Sequence, residues 1–231
     1  MTIMRRREFL LASASAGAAL TVSIPEWANS SEGVMAIRRP PQDFLGTLPH
    51  LMELAILPGL GIGLVEHGRS AWQTYVGVAS RATRTPISSD SLFPAASMGK
   101  QVFTYGALLL VKDGKLDLDK PLKEYLADGA PTGNWSEKIT ARHVLSHTSG
   151  LPNWRDDKEL TAAFEPGTKF RYSGEGFYFL QRCIEHITGI GCEQWMQDRV
   201  MKPLRMYSST YLWRADADKR GCRRSSGRRS V

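Results

Sequence analysis

The chain has 231 residues, of which 42% are hydrophobic and 23% charged, with 21 glycines and 12 prolines. This composition is typical of a globular protein and excludes collagen-like, mucin-like and wholly disordered chains. The formal net charge of +7 lies at the two ends, because residues 9–213 carry equal numbers of basic and acidic side chains. We therefore expect no nucleic-acid partner.

Residues 1–30 have the order of an export signal. Three arginines at positions 5–7 precede a short apolar stretch of small residues at 14–24, which is too short for a membrane anchor. The local sequence RREFL at 6–10 resembles the bacterial twin-arginine signal. The sequence thus predicts contact with the export machinery, a periplasmic or extracellular location, and no stable membrane insertion after removal of the signal.

The composition changes abruptly after Trp213. Residues 214–231 are basic and contain almost nothing that a core can bury, so we predict a disordered basic tail behind a domain at residues 31–213. A functional basic tail, a frameshift and a truncated reading frame are all compatible with this change.

Apolar spacing predicts strands in the first half of this domain and helices in one block after them. In chain order, the predicted elements are a helix over 40–57, strands at 61–66 and 71–78, a helix over 97–111, an exposed turn from Leu116 with a short helix to 126, a helix at 140–147, a turn at 166–167, and helices over 175–187 and 193–200. This order favours an α+β fold with a helical layer beside an antiparallel sheet.

Three patterns have a structural and a chemical interpretation. The glycines at 59, 61 and 63 form part of a dinucleotide-binding pattern, but they lie inside a strand, which favours close packing on a helix. His143 and His147 have the i, i+4 spacing of zinc ligands without a third ligand at a known spacing. Cys183 falls at an apolar helical position and is predicted to be a buried free thiol. We expect no metal and no cofactor.

The pair Ser97 and Lys100 forms an S-x-x-K pattern at the start of the helix predicted over 97–111. A serine at a helix N-terminus lies beside backbone N–H groups and a favourable dipole, both of which stabilise negative charge. A lysine three residues later shares its face and can relay the serine proton. Taken alone, the pattern also fits a helix-capping serine followed by a solvated lysine.

Four segments in order resemble the class C β-lactamase-related serine hydrolases, a family of β-lactamases, D-alanyl-D-alanine peptidases and esterases. They are FPAASMGKQ at 93–101, DGKLDLDKPL at 113–122, ITARHVLSHTSGLP at 139–152 and PGTKFRYSGEGF at 166–177. The resemblance covers roughly residues 40–213 and implies a β-lactamase/transpeptidase-like fold.

The same resemblance implies a serine hydrolase that works through an acyl-enzyme. Ser97 would attack a carbonyl, its backbone N–H would contribute to the oxyanion site, and Lys100 and Tyr172 would share the proton transfers. Tyr172 matches the first position of the family's Tyr-x-Asn element. The implied substrates are small esters, amides or cell-wall peptides.

The sequence departs from the family pattern in two places. Gly174 stands where the family usually has Asn, which favours esters over penicillins and peptides; Glu175 is the neighbouring residue that can compensate. The family's third element, Lys or His followed by Thr or Ser and Gly on a late strand, is not found.

We therefore expect a C-terminally truncated member whose sheet lacks its C-terminal strands and whose activity is small or absent. The alternatives are a non-catalytic protein of the same fold that binds a cell-wall peptide or ester, and a misread gene whose product does not fold.

Overall fold

The computed structural model describes residues 40–155 and 158–213. The predicted signal at 1–30 and the predicted tail at 214–231 lie outside the described residues. Among the helices that the structure describes, none has the length and apolar character needed to cross a bilayer.

Helix α1 (Gln42–Leu54) precedes an antiparallel hairpin of β1 (Gly59–Glu66) and β2 (Arg69–Gly77). His67 and Gly68 connect the strands with positive φ angles of 50° and 73°, as in the type I′ turns that suit the twist of a hairpin. The sequence predicts a connection of four residues at 67–70. Two suffice because both adopt the left-handed conformation, and β2 begins two residues earlier than predicted.

The glycines of β1 make room for a neighbouring loop. A Cβ atom at Gly59 would lie 2.1 Å from Ile87 Cδ1 and 2.5 Å from the carbonyl oxygen of Val78, and one at Gly61 would lie 3.3 Å from the Phe93 ring. The predicted close packing is present at these two positions. Its partner, however, is the loop that follows β2 rather than the predicted helix.

The hydrophobic core lies among four further helices, which are α2 (Gly99–Lys112), α3 (Ala141–Leu145), α4 (Gly174–Thr188) and α5 (Cys192–Met196). The rings of Phe103 on α2 and Phe177 on α4 have their centroids 6.0 Å apart. Helices thus form one layer, and the two strands of the described residues form a small antiparallel sheet. This is the α+β class that the sequence predicts.

Three predicted helices are shorter or less regular than expected. The helix over 97–111 begins as a 3₁₀ turn at Ala96–Met98 and continues as α2. The helix at 140–147 ends at Leu145, because His147 has a left-handed φ of 57°. The helix at 193–200 consists of α5 and a π-helical turn, Gln197–Met201.

The segment from Leu116 to residue 126 is only partly as predicted. Leu116 is 2% exposed and Leu122 is fully buried, so the prediction of an exposed turn is wrong at its leucines. The short helix is a single 3₁₀ turn, Leu122–Glu124. The segment contributes leucines to the core, and this burial outweighs the polar character of its sequence.

Helix α4, predicted over 175–187, is capped at both ends. The Ser173 side chain accepts a hydrogen bond from the Gly176 N–H, which satisfies one of the free donors of the first turn. Gly189 ends the helix with a left-handed φ of 72°, the conformation that glycine adopts at lowest cost. The N-terminus of α4 is thereby fixed next to Tyr172.

The buried thiol at Cys183 is confirmed, and Cys192 is a second one. Burial raises the pKa of both thiols to about 12, because an apolar environment disfavours the thiolate. Both are therefore protonated and unreactive at neutral pH.

Two helical glycines give a matched test of packing in the helical layer. A Cβ atom at Gly106 would lie 2.8 Å from the Trp195 ring and 2.9 Å from Met196 Sδ, whereas one at Gly46 in α1 meets nothing within 4 Å. Gly106→Ala should lower the free energy of unfolding by about 1–3 kcal/mol through overpacking. Gly46→Ala should raise it by about 0.5–1 kcal/mol, because alanine has the better helix propensity.

Urea unfolding of both variants measures these changes. Equal effects of the two substitutions would contradict the close packing of α2 against α5.

Candidate active site

Ser97 lies in the 3₁₀ turn directly before α2 and is exposed. Its neighbour Ala96 has a φ of +46°, which is costly for a residue with a Cβ atom. The Met98 N–H donates to the carbonyl of Ala95 at 3.0 Å and closes the turn. The turn therefore places the serine at the helix N-terminus, directly after a residue with a strained backbone conformation.

Tyr172 reaches Ser97 from the other side of the site. Its hydroxyl donates a hydrogen bond of 2.7 Å to Ser97 Oγ, although 75 positions separate the two residues. Tyr172 lies in the loop before α4 and is 37% exposed. The structure thus joins two residues that the sequence links only through the family resemblance.

Lys100 completes the group of three residues that the sequence singles out. It is half-buried on the first turn of α2, with its Nζ atom 5.2 Å from the centroid of the Tyr172 ring and 5.7 Å from that of Phe177. Within the described residues, no carboxylate lies at ion-pair distance from it. Its charge therefore acts mainly on the rings beside it.

The electrostatic effect of this arrangement falls on Tyr172. The hydrogen bond with Ser97 and the nearby Lys100 ammonium hold the pKa of Tyr172 below its ordinary value, because both stabilise the phenolate. Tyr211 shows the opposite effect, since burial raises the pKa of its phenol. A lowered pKa is what a tyrosine needs to accept a proton near neutral pH.

Tyr211 links two helices through hydrogen bonds. Its hydroxyl donates a 2.6 Å hydrogen bond to the carbonyl of Gly99, in the first turn of α2. Its backbone N–H donates to Glu193 Oε2 at 2.6 Å. These contacts connect α2, which carries Lys100 and follows the turn at Ser97, to α5.

Gly174 and Glu175 lie at the start of α4, two and three residues after Tyr172. The Gly174 N–H donates to Asn153 Oδ1 at 3.1 Å, and a Cβ atom at Gly174 would lie 2.7 Å from the Asn153 carbonyl oxygen. Glu175 pairs with Arg155, at 3.3 Å between Oε2 and Nε, and is only 12% exposed. Their predicted part in substrate binding stays a prediction.

The two histidines with zinc-ligand spacing have different surroundings. The His143 ring takes part in the capping box of Thr140 at the start of α3. The His147 ring lies against Tyr172, with ring centroids 4.4 Å apart. No group of three side chains in residues 40–155 and 158–213 is arranged to hold a metal ion.

Sequence reasoning missed two neighbours of the site. The sequence singles out His147 only for its spacing from His143, not as a neighbour of Tyr172, and it does not single out Asn153. The packing of the His147 ring on Tyr172 and the approach of residue 153 to Gly174 both depend on tertiary contacts. The spacing of the sequence contains no signal for either.

We expect Lys100→Met to raise the pKa of Tyr172, because the variant removes the cation that favours the phenolate. The tyrosine titration can be followed by NMR of protein labelled with ¹³Cζ-tyrosine, with the signal assigned through Tyr172→Phe. Lys115→Met is the matched control, since Lys115 is exposed and follows the C-terminal end of α2, which lies about 18 Å from Lys100 along the helix axis. An unchanged Tyr172 titration in Lys100→Met would contradict the electrostatic coupling.

The beta-lactamase family model matches residues 47–230, and the chain belongs to this family. A solved structure, the octameric penicillin-binding protein homologue from Pyrococcus abyssi, is similar with a TM-score of 0.68 at 22% sequence identity, over 78% of this chain and 47% of that one. This similarity confirms the predicted β-lactamase/transpeptidase-like fold.

Two curated relatives represent different activities within the family. Penicillin-binding protein 4* of Bacillus subtilis is 28% identical over 163 residues, which is 61% of this chain and 35% of that protein. Esterase EstB of Burkholderia gladioli is 36% identical over 93 residues, or 39% of this chain and 24% of that protein. The chain spans less than half the length of each of these proteins.

Proposed function

We propose that this chain is a serine hydrolase that forms an acyl-enzyme on Ser97 and acts on small esters. The observation that carries the proposal is the 2.7 Å hydrogen bond between Tyr172 and Ser97 Oγ, formed beside the Lys100 ammonium. A hydroxyl nucleophile, a phenol with a lowered pKa and a cation that stabilises the phenolate are the parts that nucleophilic catalysis requires. Membership of the beta-lactamase family and the similarity to an esterase support it.

In the acylation step, the phenolate form of Tyr172, towards which the Ser97 hydroxyl now donates, accepts the Ser97 proton while Oγ attacks the ester carbonyl carbon. The carbonyl oxygen takes the negative charge, and the Ser97 backbone N–H stabilises it. The bond from carbon to the leaving oxygen then breaks, and Tyr172 returns the proton to the leaving alkoxide. Lys100 keeps the phenolate stable before and after the transfer.

Deacylation repeats the same proton path with water. Tyr172 accepts a proton from the water that attacks the acyl carbon, and the bond between that carbon and Oγ breaks. Tyr172 then returns the proton to Ser97. One carboxylic acid and one alcohol leave for each ester and water consumed, and the enzyme regains its starting state.

The surroundings of Gly174 support esters as the substrate class. Position 174 has no side-chain amide to hold a substrate amide, and the Glu175 carboxylate is engaged by Arg155. Trp154 is 69% exposed, with its ring 3.4 Å from the position that a Gly174 Cβ atom would take. An apolar surface with few fixed polar partners suits an uncharged ester better than a peptide.

Export to the periplasm or the exterior is part of the proposal. The twin-arginine pattern at 6–10 supports it, as does the similarity to penicillin-binding proteins. Cell-wall peptides remain the alternative substrate class.

A serine-reactive fluorophosphonate probe tests the nucleophile on the full chain. Intact-mass spectrometry should show one adduct, located on Ser97 and absent in Ser97→Ala. Tyr172→Phe should slow the labelling by about 10²–10⁴-fold, the usual contribution of a general base. Ser70→Ala, at an exposed serine of β2, is the control and should label normally. Labelling that persists in Ser97→Ala, or no labelling of the folded wild type, would overturn the proposal.

Turnover of p-nitrophenyl butyrate, compared with the matching p-nitroanilide, tests the reaction and the substrate class. The sequence predicts small or absent activity, whereas the proximity of Ser97, Lys100 and Tyr172 leads us to expect ester hydrolysis that Ser97→Ala abolishes, with the anilide hydrolysed at a much lower rate. The absence of turnover would support the prediction from the sequence. Preference for the anilide would contradict the assignment to esters. Labelling without turnover would remove the hydrolase part of the proposal, and saturable binding without labelling would favour a binding protein of the same fold.

A further inference from the structure

His147 contacts the segment of Tyr172 through three separate groups. Its ring lies against the Tyr172 ring, with centroids 4.4 Å apart and planes 31° from parallel. Its carbonyl oxygen accepts the Arg171 N–H at 2.8 Å, and its Nδ1 atom accepts the Ser173 N–H at 3.1 Å. Residues 171–173 are therefore held by one histidine on both sides of the tyrosine.

The hydrogen bond at Nδ1 indicates the protonation state of the His147 ring. Because Nδ1 accepts from a backbone N–H, the ring is neutral and carries its proton on Nε2. Burial and the Lys100 charge hold the pKa of His147 below its ordinary value of 6.5. The ring also packs against Phe177 and Phe170, at 5.1 and 6.0 Å between centroids. Within the described residues, no carboxylate forms an ion pair with it.

The backbone of His147 adopts the left-handed conformation, with a φ of 57°, at the end of α3. Its N–H donates to the Val144 carbonyl at 3.0 Å, and the Thr148 N–H donates to the His143 carbonyl at 2.8 Å, as in the caps that commonly end helices. This turn places the carbonyl and the ring of His147 where they contact residues 171–173.

We propose that neutral His147 is a positioning residue that holds the Tyr172 hydroxyl on Ser97. Protonation converts Nδ1 from an acceptor into a donor that faces the Ser173 N–H, and it places a second cation next to Lys100. Both effects disfavour the observed position of residues 171–173. A low pH should therefore separate Tyr172 from Ser97 before the protein unfolds. The inference rests on the proposed function for its catalytic consequence, but the coupling between His147 and Tyr172 can be measured without it.

The first test compares labelling rates of Ser97 across pH. In the wild type, apart from the fall in rate that protonation of Tyr172 itself causes, the rate should show a separate fall as the pH decreases through a value below 6.5 and His147 becomes protonated. His147→Asn should keep the neutral-pH rate within a few-fold and lose this acid inflection, because an asparagine oxygen can accept the Ser173 N–H, does not titrate and tolerates a positive φ. His147→Phe keeps a flat ring without the acceptor and should lose on the order of 10²-fold at neutral pH, as expected for a reacting group misplaced by about 1 Å.

His67→Asn is the matched control. His67 also has a positive φ, of 50°, and lies in the hairpin turn next to Gly68, where Asn-Gly is favoured. This variant should keep the wild-type pH profile, including the acid inflection. Thermal unfolding of each variant establishes that it is folded at each pH. An acid inflection that persists in His147→Asn would overturn the inference.

The second test does not depend on Ser97 reactivity. In wild-type protein labelled with ¹³Cζ-tyrosine and ¹⁵N-histidine, NMR should show His147 with its proton on Nε2, and the Tyr172 signal should move as His147 titrates. A Tyr172 signal that is insensitive to this titration would overturn the positioning role. If the signals are coupled while Ser97 fails to label, the proposed function fails and the positioning role stands.

Discussion

The arrangement of the site depends on one hydrogen bond, from the Tyr172 hydroxyl to Ser97 Oγ. Its two residues belong to different parts of the chain, so it forms only when the start of α2 and the loop before α4 are both in place. Buried aromatic packing between these helices, through Phe103 and Phe177, sets the larger distance. The helix cap at Ser173 and the turn at Ala96 then position the Tyr172 hydroxyl and Ser97 Oγ within hydrogen-bond distance.

The effect of the Lys100 charge on its neighbours depends on this geometry. On a solvated helix face, a lysine without a carboxylate partner would have little effect on its neighbours, because water screens it. Here two aromatic rings cover it partly. Its field adds to the effect of the Ser97 hydrogen bond in lowering the pKa of Tyr172, and to the effect of burial in lowering the pKa of His147. A single ammonium therefore favours an ionised tyrosine and a neutral histidine.

Much of this could be predicted from the sequence, and the exceptions have physical causes. The helical spacing of Phe177, Leu180 and Cys183 locates α4 closely, since one buried face determines it. The polar residues around Leu116 indicated an exposed turn, but burial of two leucines in the core determines that segment instead. The family resemblance identifies Ser97, Lys100 and Tyr172 as site residues. His147 and Asn153 are neighbours of the site through contacts between segments distant in sequence, which local spacing does not predict.

The tight packing at Gly174 limits which residues this position can accept. The Asn153 carbonyl oxygen occupies the space that any side chain at 174 would enter, at 2.7 Å from an ideal Cβ atom. Replacing this glycine by asparagine would force the backbone of residue 153 to move, together with the hydrogen bond that Asn153 Oδ1 receives from the Gly174 N–H. A single mutation to an amide side chain at this position would therefore be costly. The loop at 152–154 and position 174 have to change together.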